Sequence, residues 1–261
     1  MLDRRRFLAL ALGLALAPGR PARAATEARQ GSFSADVEIL YGVLTFRLAG
    51  TIDETIDRAA GRYEMKIRGQ GDGITSAVDS HGRLHEGRWT PLGTRSVFLV
   101  QGRESRLDIT YDPERRAVEY HSRSETFFLR RRRVSDDVVS IPAGVHVDDV
   151  VSATLNYADA RWPAEPDGTF RTHVVRRHRP KGEGADDVQP QYRAELVPFV
   201  LWVTADPETG RPTALFDLTR FSSWAREDRP ARIVFGAHRR PESITSSLML
   251  GTSVVIRISH A

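Results

Sequence analysis

Three groups of residues in this chain combine side-chain types that can do chemistry. His146, Asp148, Asp149 and Ser152 contain the members of a base, carboxylate and nucleophile triad, although a triad is defined by geometry rather than by nearness in the chain. The same two aspartates also suit the start of a helix, where carboxylates satisfy free N–H groups and favour the positive end of the dipole. His81, His85 and Glu86 are the densest grouping of metal-ligand types. Histidines four apart share a face on a helix, yet Asp79-Ser80-His81-Gly82 signals a hairpin turn in which the two side chains diverge. Exposed histidines are the expectation there.

The third group is basic. Arg130-Arg131-Arg132-Arg133 follows Phe127-Phe128-Leu129, and Arg176-Arg177-His178-Arg179 is a second run. On a strand, Arg130 and Arg132 leave on one face and Arg131 and Arg133 on the other. If that face is concave, two guanidiniums can grip the phosphate or carboxylate of an amphiphile whose tail lies against apolar side chains. Arg130, Arg132, Phe128 and Trp202 are the candidate ligand-binding residues on this reading. The alternative is a solvated edge strand whose charges prevent aggregation, compensated by Glu125, Asp136 and Asp137.

Other chemistries lack their residues. Gly251-Thr252-Ser253 has no second glycine for a nucleophile elbow, and no glycine-rich loop leads into Lys and Ser or Thr to hold a phosphate. Gly87-Arg88-Trp89 is similar to the Gly-x-Trp signature of lipocalins, but several strands precede it here. The chain has no cysteine, hence no disulfide, thiolate nucleophile or zinc–thiolate site. No catalytic residue, metal or cofactor is assigned.

The elements that must position these residues begin after a leader. Arg4-Arg5-Arg6-Phe7-Leu8, the apolar stretch to Ala17 and the small-x-small site Ala22-Arg23-Ala24 form a charged region, a hydrophobic region and a cleavage site. Arg4, Arg5, Phe7 and Leu8 resemble a twin-arginine export signal, with Asp3 where Ser or Thr is usual. The apolar run is shorter than the ~20 residues that span a bilayer, and Pro18 and Gly19 break it. Residues 1–24 are therefore expected to be cleaved, leaving a soluble periplasmic protein without a transmembrane anchor. The formal net charge of +4 rests largely on this leader, which holds Arg4, Arg5, Arg6, Arg20 and Arg23 against Asp3. What remains is close to neutral and gives no reason to expect nucleic acid.

Residues 25–32 read as a linker to a single antiparallel β domain over 33–261. Val37, Ile39, Tyr41 and Val43 alternate, then Leu44, Phe46 and Leu48 alternate in the opposite phase, as in a strand bulged near Gly42. Asp112-Pro113-Glu114 and Asp206-Pro207-Glu208-Thr209-Gly210 signal hairpin turns. Leu196 to Val203 reads as a strand covered on both faces, and Val254, Ile256 and Ile258 as one half exposed. Val147, Val150, Val151, Leu155 and Ala158 share a helical face, with Asp148 and Asp149 in its first turn. The segment 159–168 can separate two β layers, and 179–191 reads as an exposed loop. The fold class is mostly β: an antiparallel curved sheet or open, partial β-barrel with one short helix.

Gly71-Asp72-Gly73-Ile74, Gly82-Arg83-Leu84, Leu107 to Asp112 and Val147 to Ala153 carry a resemblance. Over Tyr63 to Ala160 the chain resembles domain-of-unknown-function family 3108, a group of secreted bacterial proteins. The resemblance implies a curved periplasmic sheet similar to the open-barrel lipoprotein carriers, with no established activity. The expectation is a non-catalytic periplasmic binding or carrier protein for an apolar or amphiphilic ligand such as a lipid. An envelope scaffold that binds protein partners, or a hydrolase using His146 and Ser152, are the alternatives.

Overall fold

The computed structural model describes residues 26–39, 41, 44–126, 129–180, 182–184, 186–219, 221, 225–226, 228–248 and 251–260. Arg4, Arg5, Phe7, Leu8, Ala22 and Ala24, the residues of the expected export signal, lie outside the described residues, as do Gly42 and Phe128.

The strands are β1 (Glu27–Ile39), β2 (Leu44–Asp57), β3 (Arg62–Gly71), β4 (Ile74–His85), β5 (Arg88–Val100), β6 (Arg103–Asp112), β7 (Ala117–Glu125) and β8 (Arg132–Ser140). Helix α1 (Val150–Ala158) follows, then β9 (Thr169–Arg177), β10 (Ala194–Ala205), β11 (Pro212–Phe216), β12 (Ala231–Phe235), β13 (Pro241–Ser247) and β14 (Ser253–His260). They form one 14-stranded sheet in the order β8-β7-β6-β5-β4-β3-β2-β1-β14-β13-β12-β11-β10-β9. Every named neighbour is antiparallel, and the sheet rolls into a nearly closed barrel around α1. The expected fold class is thus observed.

Several boundaries differ from the sequence reading. β1 begins at Glu27, so most of the segment read as a linker is strand. The change of phase between Ile39 and Leu44 is a hairpin, with those two residues paired across it, rather than a bulge in one strand. A turn reverses the chain and resets the alternation, which produces the same pattern as a bulge. Conversely, Asp79 to Gly82 lie inside β4, where a register shift between His81 and Gly82 marks a true bulge. The hairpin is made by Glu86 and Gly87, both with left-handed φ (49° and 81°). The turns after Asp112 and Asp206 form as expected, each aspartate accepting N–H bonds from the turn that follows it. The segment 159–168 connects α1 to β9 and separates no layers.

Helix α1 starts later than its apolar pattern suggests. Asp149 is the N-cap and Asp148 precedes it, so neither carboxylate lies in the first turn. Asp149 Oδ1 accepts from Ser152 N (2.7 Å), and its Oδ2 accepts from the hydroxyls of Ser80 and Thr94 (both 2.5 Å). Asp148 accepts from Ser152 Oγ (2.8 Å), Asn156 Nδ2 (3.0 Å), Thr172 Oγ1 (2.6 Å) and Arg88 Nη2 (3.1 Å). Asn156 also bonds both backbone groups of Trp89. Two carboxylates thereby join the helix to β4, β5 and β9. Its apolar faces complete two clusters: Val151 and Leu155 with Ile56, Tyr63, Met65 and Trp89, and Ala153 and Tyr157 with Trp162, Leu201, Ala214 and Phe235. Burial of a side chain such as Leu155 contributes roughly 1.5–3 kcal/mol.

The sheet edges meet at a seam. Ser135 of β8 forms a parallel bridge with Tyr192, Asp137 accepts from Ala194 N (2.8 Å), and Val147 bridges His173 of β9. The loop before β10 is held by Arg133, whose guanidinium donates to the carbonyls of Gly184 and Asp187. Within that loop Glu183 is buried and paired with Arg177, so the segment is less exposed than its composition suggests.

Asp149→Ala removes the cap and leaves two buried hydroxyls without their acceptor, so it should destabilise by about 3 kcal/mol, measured by urea unfolding. Burial works against ionisation of Asp148, but His146, Arg88 and Thr172 outweigh it and hold the carboxyl below its ordinary value. Its stabilising effect is therefore complete above the ordinary value of about 3.9 and is lost as the pH falls through the lower, folded value. Asp148→Asn should be less stable than wild type at pH 7 yet show a shallower loss of stability as the pH falls below about 4 in the same assay.

Candidate functional site

The helix fills only part of the barrel. Beside it lies a cavity of about 890 Å³, walled by the inward faces of β1, β2, β3, β13 and β14 and bounded by Val150, Val151 and Thr154 of α1. Strand register explains the lining. Ala35 pairs with Leu48 and Ile256, Phe33 with Gly50 and Ile258, Gly31 with Ile52 and His260, and Arg29 with Glu54. Because side chains alternate, these residues share the inner face. The wall is apolar from Ala35 to Ile52 and becomes polar towards the start of β1.

Phe33 lies across the sheet rather than filling the space. Its ring passes over Gly69, where a Cβ would stand 2.9 Å from Phe33 Cζ. A side chain at that position would push the ring inward. Phe33, Leu48, Ile52, Ile67, Ile244, Ile256 and Ile258 all remain partly exposed, whereas close packing would bury them. Val150 is 68 % exposed although it stands on the cavity side of the helix. Aliphatic surface only partly covered defines this region, Ile52 and Ile67 being packed on one side against the Trp89 cluster.

One ion pair interrupts it. Arg240, from the turn that leads into β13, donates through Nη1 and Nη2 to the two carboxylate oxygens of Glu54 (2.5 and 2.9 Å). Both residues line the cavity and both are buried. The turn itself is held by Arg239, whose guanidinium sits 4.0 Å from the Tyr157 ring centre, and it carries left-handed backbone at His238 and Arg239. Arg29, Gln30, His238 and His260, all exposed, surround this polar end.

The residues singled out from sequence do not converge here. Arg130 occupies a turn with φ of 52° and sends Nη2 towards Gln101 O, not a strand face. Arg132 is exposed at the start of β8, opposite Glu125. Trp202 projects outward from β10, 45 % exposed, beside Leu215. None of these three lines the cavity. The basic run turns instead inward at Arg133, which fastens the seam. Among the described residues, no three His, Asp or Glu side chains come together as metal ligands.

Ser152 is fully buried, gives its proton to Asp148 and accepts from Asp149 N. His146 Nε2 approaches Asp148 (3.3 Å). A nucleophile needs its proton on a base and its oxygen open to substrate, and this hydroxyl is committed to the cap. Sequence reasoning missed Phe33, Ile52, Glu54, Arg240 and Ile244. The available signal was Ile52-Asp53-Glu54-Thr55-Ile56, where Glu54 stands at an apolar position of an alternating strand.

No protein-family model matches the chain, and no curated protein does. The resemblance to family 3108 therefore gains no support at the level of the family. Among solved structures the chain is similar to a crystal structure of a β-barrel-like protein of domain of unknown function DUF1849 from Brucella abortus. The two are 10 % identical, with a TM-score of 0.39 over 91 % of this chain and 100 % of the other.

Proposed function

We propose that this protein is a periplasmic, non-catalytic binding or carrier protein that holds an apolar or amphiphilic molecule in the barrel cavity. The observation that carries the proposal is the apolar wall left uncovered beside α1. A cavity of about 890 Å³ falls within the roughly 300–1,000 Å³ typical of small-molecule sites. A void of this size with aliphatic walls forfeits dispersion contacts that a ligand's hydrocarbon would restore. The leader supports the periplasm as the place of action, and the buried bonding of Ser152 favours binding over hydrolysis.

An outer patch favours a second reading, as an envelope protein that contacts protein partners. Trp202 and Leu215 are cross-strand neighbours on the outside of the barrel and are 45 % and 36 % exposed. Tryptophan is among the residue types most enriched at the energetic centres of protein interfaces.

Native mass spectrometry of protein recovered from its own periplasm should show a chain cleaved after Ala24 carrying a lipid-sized adduct. The stripped protein should bind Nile red with a blue-shifted emission, and Ile256→Trp, which places a ring in the cavity, should abolish this at little change in melting temperature. A stripped wild-type protein that leaves Nile red emission unchanged overturns the carrier reading. A photo-crosslinking residue at position 202 should give discrete protein adducts in cells if the outer patch is an interface, and none if it is not.

A further inference from the structure

The cavity is graded, and each Arg and Glu side chain lining its polar end is ion-paired, Glu242 with Arg211 among them. Along β2 the inward residues run Leu48, Gly50, Ile52, Glu54 and Ile56, and along β1 they run Ala35, Phe33, Gly31 and Arg29. A molecule lying along this wall would put hydrocarbon against Leu48, Ile52 and Ile256 and its polar group level with Glu54. What it meets there is a guanidinium already bonded through two N–H groups to both oxygens of a carboxylate. The exposed Arg29 at the same level is likewise paired, with Glu27 (3.1 Å).

We propose that the Glu54–Arg240 pair selects a neutral hydrogen-bonding head group, the hydroxyls of a long-chain alcohol or monoacylglycerol, over an anionic carboxylate. The inference rests on the cavity being a ligand site. An anionic head brought to the pair would gain from Arg240 but face the Glu54 carboxylate at comparable range, in surroundings where water screens poorly. It would also lose its hydration without a net opposite charge to replace it. A hydroxyl both donates and accepts. It can donate to lone pairs of Glu54 or accept from N–H groups of Arg240 that their mutual bonds leave over. Stability alone gives little reason for the pair, because a buried ion pair exchanged for apolar side chains of similar volume is often neutral or stabilising. A pair set into the wall of an apolar chamber is explained by what it offers to the chamber's occupant.

The test is displacement of Nile red from the full chain after removal of its leader, by monolauroylglycerol and by dodecanoate at pH 7.5, well above the titration range of a carboxylic acid. Wild type should favour monolauroylglycerol by about tenfold. Glu54→Gln leaves Arg240 without a balancing charge and should invert the order, with dodecanoate favoured by about tenfold. If both compounds displace the dye equally from wild type, or dodecanoate does so better, the selectivity inference is overturned while the cavity reading stands. If neither displaces bound dye, the cavity reading itself fails. The wild-type ratio decides the matter even if Glu54→Gln does not fold.

Discussion

Asp148 and Asp149 hold a helix inside a barrel, and the rest of the molecule depends on that attachment. The two side chains take different partners: Asp149 reaches Ser80 and Thr94 on β4 and β5, and Asp148 reaches Thr172 on β9 and Arg88 on β5. Because the carboxylates sit immediately before the helix, they set its depth as well as its first turn. Two clusters include side chains of α1, and the third, around Tyr111 and Val118, fills the barrel between β6, β7 and β9. The wall formed by β13, β14, β1 and β2 is left facing a helix side that does not fill the space. The cavity is a consequence of where the helix is fastened.

Much of this was legible in the sequence, for reasons that follow from which signals are local. The turns after Asp112 and Asp206 were readable because an aspartate that caps its own turn acts within three residues. The helix was readable from the spacing of Val151 and Leu155, and only its start was misplaced, since two successive aspartates offer two caps and the tertiary partners of Asp149 decide between them. The hairpin at Ile39 and Leu44 was misread as a bulge, and the bulge at Gly82 as a turn, because both invert the alternation and differ only in whether the chain reverses.

The site was less legible. Alternation identifies the inner face of a strand, but not whether that face meets core or empty space. Ile52 and Ile56 stand two repeats apart in the same alternating strand and both touch the Trp89 cluster, yet Ile56 is fully buried there while Ile52 also lines the cavity. The difference is made by α1, more than ninety residues away. The basic runs were ambiguous for a related reason: an arginine cluster reads as an anion grip or a solvated edge, and composition does not reveal what Arg133 also does. It bonds backbone carbonyls of the loop that covers the edge of β8.

The pairing of β1 with β14 has a consequence of its own. The sheet consists of two meanders, β1 to β8 and β9 to β14, which join by a continuous strand ladder where the first strand pairs with the last and touch again at the seam. That junction joins residues more than two hundred positions apart, so its loop-closure entropy is among the largest the chain can incur. Until β14 is in place, β1 presents one bare edge and the cavity lacks Ile256 and Ile258 from its wall. A cavity that straddles the pairing of greatest sequence separation is complete only when that pairing is made, which ties its wall to the integrity of a single strand pair.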